Sequence, residues 1–582
     1  MGQPMKIRIK LFLLVYKLLL IPCLVSGQGM VISSGSHVVV GTGYVGIFGN
    51  LTNNGSYTDQ GGTLVLTGNT QNLTGTNGAT LNNLNVSSGS TSTLSTAGQT
   101  VKGVLTCDGT LNAGGNLTLL STADQTALVS GAGAGTINGN VTMQRYLASG
   151  FGYKYFSSPF QAATVSEFAD DMNLGAAFPT FYSYNENRDT TWWITYTTGT
   201  NLLVPMLGYA VNFGPSADPK TADVTGAVSN GTMSLTLYNH DKNHTKGFTL
   251  VGNPYPSPVD WDAATGWTKT NIDNAVYYFN AGSADQYVGS YSTYINGVSS
   301  DGIANNIIPA MQGFFVHVTN GTFPVTGTLG FSNQVRINTL NPVFHKNGLL
   351  DYRPLIRISA GFEGAENRLD PLVVLFDGEA SPLFNERQDA VKLMNTDPEI
   401  PSFYTLSNDN IRYAIKSLPE PADSLTVIPL GITTQQQGII DFAVNALENQ
   451  QPGLQLYFSD NKNRAVLAVN SNTRYQAFLD EGVCDGRFSL ILSRHEIPTS
   501  SGSADELDAY YSDGKIYVYC DFLNNEQGEL QVSDMLGRII HREKVTGIGY
   551  NSVNLNVPTG IYIASLRSEH ASSSKKLFIP GK

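Results

Sequence analysis

The chain has 582 residues, enough for roughly three to five domains, and 34 Lys and Arg against 46 Asp and Glu give it a net charge of −12. Only 14% of residues are charged and no basic stripe appears, which excludes a nucleic-acid partner, since that needs a basic footprint. Gly (60), Tyr (28) and Phe (26) are abundant while helix formers are scarce, so strands and turns are expected throughout and the fold class is all-β.

Residues 1–27 read as a secretory signal peptide. Lys6, Arg8 and Lys10 form a basic start, Leu11 to Leu20 an apolar core, and Val25-Ser26-Gly27 a small-residue site, with cleavage expected after Gly27. Lys17 leaves too short an apolar run to span a membrane.

From 28 to 146 charges nearly vanish. Short runs such as Thr63-Leu64-Val65-Leu66, Asn116-Leu117-Thr118-Leu119-Leu120 and Asn140-Val141-Thr142 recur between Gly and Asn corners. One such rung cannot bury its apolar face, but stacked rungs share a core, so an N-terminal β-solenoid is expected. The repeated Leu and Val positions argue against a flexible low-complexity stalk. Gly131-Ala132-Gly133-Ala134-Gly135 lacks the strand and helix of a nucleotide loop and reads as tight corners.

Residues 147–340 form an aromatic-rich β module, with strands ending in turns such as Gly252-Asn253-Pro254-Tyr255-Pro256-Ser257. All four tryptophans fall here: Trp192, Trp193, Trp261 and Trp267. Exposed, they would be flat platforms for sugar rings; packed inward, they would be core, the reading that ordinary burial favours. Trp192 and Trp193 are adjacent, so in a strand only one of them reaches a given face. Asp260 and Asp262 are too few for a calcium loop and read as turn residues. His240 and His244 stand four apart in a turn-like setting, which does not support a metal pair.

Residues 348–495 carry clear strands, among them Leu372-Val373-Val374-Leu375-Phe376 and Arg487-Phe488-Ser489-Leu490-Ile491-Leu492, and read as a β-sandwich; Leu383 to Met394 holds one or two helical turns. Residues 499–513 read as a linker. After the leader, Cys107, Cys484 and Cys520 remain, far apart and without a C-x-x-C pair, so they read as small buried hydrophobes, a Cys484–Cys520 disulfide staying open. No H-E-x-x-H, G-x-S-x-G or phosphate-loop motif occurs. No catalytic residue, metal or cofactor is therefore expected, and the chain is read as not an enzyme.

The last block, 514–582, alternates in period 2 through Lys515–Cys520 and Glu529–Ser533, turns at Asp534-Met535-Leu536-Gly537-Arg538, and ends in Pro558-Thr559-Gly560-Ile561-Tyr562-Ile563 and Lys575-Lys576-Leu577-Phe578-Ile579. That order resembles the C-terminal sorting domain of type IX secretion cargo from Bacteroidota-type bacteria. Asp534, Gly537, Arg538, Gly560, Ile561, Tyr562, Lys575 and Lys576 occupy the positions of its motif. The aromatic module and the block after it also resemble the β-rich body of such cargo. The resemblance implies an Ig-like sandwich at the C-terminus, read by the type IX translocon and removed by a surface sorting peptidase, with the body joined to lipopolysaccharide. The chain is thus expected to be secreted or held at the outer-membrane cell surface in a structural or adhesive role. Two alternatives are a glycan-binding protein using the Trp-rich module and a hydrolase with a scattered carboxylate site.

Overall fold

The computed structural model describes residues 29–580 except 283, 342–352, 366–367, 408, 422–424, 498, 500–506, 513–514, 521–526, 547–548 and 568–571. The leader expected at 1–27 lies outside the described residues. Strand accounts for 52% of the chain and helix for 1%, in line with its composition.

The N-terminal region is a solenoid with three strands per rung. Met30–Ile32 lies parallel to Leu51–Asn53, His37–Val40 to Ser56–Asp59, and Tyr44–Ile47 to Thr63–Leu66. Rung length varies: 19 residues separate Thr93 from the stacked Asn112, and 26 separate Asn112 from Asn138. Alternation along each short strand sends Leu and Val inward and Thr and Asn outward. Continuous buried ladders result, such as Leu64–Leu84–Leu105 and Leu81–Val101–Leu119–Met143. Inside the corners, side-chain amides satisfy the backbone groups that the strands leave over. Gln71 accepts from the Gly68 amide at 2.6 Å and donates to the carbonyls of Ile47 and Gly49. The glycine run at 131–135 is a corner pressed onto the rung beneath it: a Cβ on Gly135 would stand 2.0 Å from the Gly109 carbonyl oxygen.

An open parallel edge invites further pairing, and one of the solenoid's three sheets is continued by the next block. Asn140–Leu147 stacks in parallel on Leu117–Leu119 and pairs antiparallel, along its whole length, with Lys220–Val228. The sequence Gly252 to Ser257 anchors this junction. Buried Asn253 donates to the carbonyls of Ser257, Ile308 and Pro309, and Val129 of the solenoid donates to the Pro256 carbonyl. Buried Arg336 lies 4.9 Å from the Tyr255 ring and donates to the Val129 carbonyl and to Ser257.

In the third block one long sheet curls onto itself, with Ala465–Ala468 and Arg474–Leu479 at its two ends. Phe442 meets Phe488 at 4.7 Å and Phe458 at 5.3 Å across the fold, so the sheet forms a sandwich from a single ribbon. Leu383–Met394 makes one turn, Asp389 donating to the Asn385 carbonyl, and then the short strand Ala390–Val391. The second and third blocks share a core: Tyr277, Tyr291 and Phe315 of the second block lie in one cluster with Leu355, Val373 and Ile415 of the third.

The C-terminal sandwich packs a three-stranded sheet (Asp508–Ser512, Lys515–Cys520, Gly549–Asn554) on a four-stranded one (Ile539–Thr546, Gln527–Asp534, Gly560–Arg567, Ser572–Ile579). Ile516, Val518 and Val553 meet Leu530, Val532, Ala564 and Leu566 in its core. Residues 508–512, expected in the linker, are its first strand. The physical reason is the alternation that buries Leu507 and Ala509 inward, a period-2 signal hidden beside small polar residues.

Candidate functional site

Two places combine exposed chemistry with a built framework. The first is the turn of the C-terminal sandwich. Asp534 Oδ1 accepts from the amides of Leu536 and Arg538, and Asp534 Oδ2 from Arg538 Nε at 3.1 Å. The Arg538 amide and the other donors hold the Asp534 carboxyl below its ordinary range. Gly537 takes φ +79, a conformation that L side chains rarely adopt. Asp534, Gly537 and Arg538 therefore build the turn, which displays Met535 (57% exposed), Leu536 (94%) and the Arg538 side chain (78%).

Gly560 is different. Its backbone is extended, and an added Cβ would meet only the Tyr562 ring, at 3.3 Å. Tyr562 is buried and its hydroxyl donates to the Pro558 carbonyl. Ile561 points outward, paired with exposed Phe578 on the next strand. Lys575 and Lys576 lie on the edge strand Ser572–Ile579, where Lys discourages pairing with a further strand.

The second place is a cavity of about 230 Å³ in the aromatic module. Tyr153, Tyr182, Trp193 and Phe279 form its walls, and Phe178 and Tyr287 stand exposed at its mouth. Its floor is buried Tyr155, Ala210 and Tyr291, with the Tyr155 and Tyr291 hydroxyls 3.0 Å apart. Thr396 of the third block closes one side; its hydroxyl donates to the Gly289 carbonyl. The rings support one another: Phe178 meets Tyr287 edge-on at 4.7 Å, and Tyr155 stacks on Phe279 at 4.7 Å. Burial and the neighbouring Tyr182 phenol push the Tyr153 hydroxyl well above its ordinary range, so it stays protonated.

The four tryptophans separate. Trp193 lines the cavity, while Trp192 stacks on His244 at 4.5 Å. Trp261 is 0% exposed, and Trp267 packs edge-on against it at 4.7 Å. The tyrosines of the cavity were not singled out in the sequence; the only signal for them was the density of aromatic strands between 147 and 340. His240 is engaged by Glu186 at 2.7 Å rather than by His244. Asp262 lies in the turn as expected, whereas Asp260 ends the short strand Val259–Asp260 and its carboxylate accepts from the Asp262 amide and from Asn306. Cys107 is buried on the solenoid ladder above Val86, and burial raises its thiol to about 11; Cys484 is a free thiol. Asp170, Asp171 and Asp223 cluster beside Lys220, and burial raises Asp171 to about 6.

A model described as "Secretion system C-terminal sorting domain" matches residues 512–580, the sandwich that carries the displayed turn. This is the all-β class of type IX secretion cargo, and the chain is exported to the cell surface or beyond it. Its body has a family too: the chain belongs to the family described as "Domain of unknown function (DUF8693)", whose model matches residues 54–492. That match runs from the solenoid through to the last strand of the third block, Gly482–Ser493. No curated protein matches the chain. Among solved structures, one titled "Biofilm associated protein - BSP domain" aligns over 76% of this chain and 92% of that chain, at 10% identity and a TM-score of 0.15. So slight a likeness bears no weight on fold or function.

Proposed function

We propose that this protein is a structural and adhesive component of the cell surface, not an enzyme. The observation that carries the reading is the pairing of an export address with a rigid body: a solenoid whose last strand is continued by the aromatic module, which in turn shares its core with the third block. Such a body sets a recognition surface at a fixed distance from its attachment. In this account a leader ending at Gly27 takes the chain across the inner membrane. The translocon reads the folded C-terminal sandwich. A surface peptidase cuts between the third block and Leu507, and the body is joined to lipopolysaccharide.

Glycans are the ligand class for adhesion, because the one cavity described above is walled by aromatic rings. The hydrolase alternative gains no such observation. The test replaces residues 29–495 by an unrelated soluble β domain and keeps the sorting domain. Export of the chimera should persist while attachment of cells to glycan-coated surfaces falls to background. Attachment that survives the replacement would sink the adhesive role. N-terminal sequencing of the same surface fraction should begin at Gln28; a chain still carrying Met1 would refute the leader.

A further inference from the structure

We infer that the cavity between Tyr153, Tyr182, Trp193 and Phe279 is a binding site for a neutral pyranose unit of a glycan. The inference rests on the adhesive reading and narrows it to one site and one ligand class.

Three properties of the cavity select that ligand. The first is shape. About 230 Å³ admits one sugar ring with part of a second, and the exposed mouth at Phe178 and Tyr287 lets the rest of a chain leave. The second is the wall. A pyranose presents a flat C–H face, and such a face packs on aromatic rings, which the cavity offers on several sides. The third is polarity. Each phenol hydroxyl both donates and accepts, as sugar hydroxyls require, and Tyr153 and Tyr182 bring two such hydroxyls to the wall.

Charge excludes the nearest competitors. Among the described residues that line it there is no Lys, Arg or His, so a carboxylate or phosphate on the sugar would enter without a counter-charge. Among the same described residues there is no Asp or Glu, so a quaternary ammonium would have rings but no lining anion. Specific placement falls to the hydroxyls.

The test uses the mature protein, purified from the surface fraction, and five probes: maltotriose, cellotriose, chitotriose, galacturonotriose and choline. Binding is followed by tryptophan fluorescence, with Trp193 as the reporter in the wall, and by saturation-transfer NMR. At least one of the three neutral trisaccharides should bind. Phe178→Ala and Tyr287→Ala should each weaken that binding at least tenfold with an unchanged melting temperature, because both side chains are at the mouth and not in the core. Tyr182→Phe keeps the ring and should lose affinity through the hydroxyl alone, by threefold or more. No binding by any neutral trisaccharide, binding that survives the Phe178→Ala/Tyr287→Ala double variant, or tighter binding of choline or galacturonotriose would each overturn the site. Cells displaying the double variant separate the two ideas. If they attach like wild type while the body-replacement chimera does not, the adhesive role stands and this cavity is not its site.

Discussion

Single residues here answer to burial first. Lys269 shows it. Its ammonium lies 3.5 Å from the centre of the Trp261 ring and 5.1 Å from that of Trp267, and it donates to the Trp261 carbonyl and to Asn274. Burial lowers it to about 7, with Asp262 and Asp260 opposing the shift. Between pH 7 and about 10 the unfolded chain then holds a proton that the folded chain has released, so this group makes stability rise with pH over that interval. Lys269→Met removes that contribution. Thermal melts of the two proteins should show a difference, variant minus wild type, that is most favourable to the variant below pH 7 and shrinks steadily toward pH 9.5. A difference that stays flat across pH would mean that Lys269 titrates normally. The C-terminal turn is the exposed counterpart: Asp534, Gly537 and Arg538 hold its shape by hydrogen bonds to one another, while Met535, Leu536 and the Arg538 side chain stand in solvent.

At the scale of elements, the junction at Gly252–Ser257 decides whether the body stands as one piece. Asn253→Ala leaves three buried carbonyls without their donor and the Tyr255 amide without its acceptor. The expected loss is roughly 2–4 kcal/mol, read as a lower urea midpoint with the solenoid and the aromatic module unfolding together. A midpoint within experimental error of wild type would remove the junction from the account. Strands of this kind were legible in the sequence wherever one face is apolar. Thr63–Leu66 and Lys515–Cys520 declared themselves by alternation, and the stacking of rungs followed from the need to share a core. The first sandwich strand, Asp508–Ser512, was masked by its polar surroundings. The cavity was out of reach for another reason. Its rings come from strands at 153, 182, 193, 279 and 291, and no spacing along the chain reports that they converge. Residues 192 and 193 illustrate the limit: alternation told that they face opposite ways, and only the packing tells that Trp193 is the one beside the tyrosines.

The whole molecule is a body of three joined blocks followed by a C-terminal sorting domain. Solenoid, aromatic module and third block are tied by continuous sheet and shared core, whereas the sandwich at 507–580 has a core of its own. The address is built from strands far apart in sequence, so in the proposed account it works only when folded. Its last strand, Ser572–Ile579, pairs along its length with Gly560–Arg567 and supplies buried Leu577 and Ile579 to the core. Removing Lys575 to Lys582 therefore opens the sandwich and exposes the edge of Gly560–Arg567, while the body keeps every contact described above. The decisive measurement is surface labelling and fractionation of cells that carry this truncation. The account predicts a folded body retained in the periplasm and unlabelled from outside; a truncated chain displayed at the surface in wild-type amounts would contradict it.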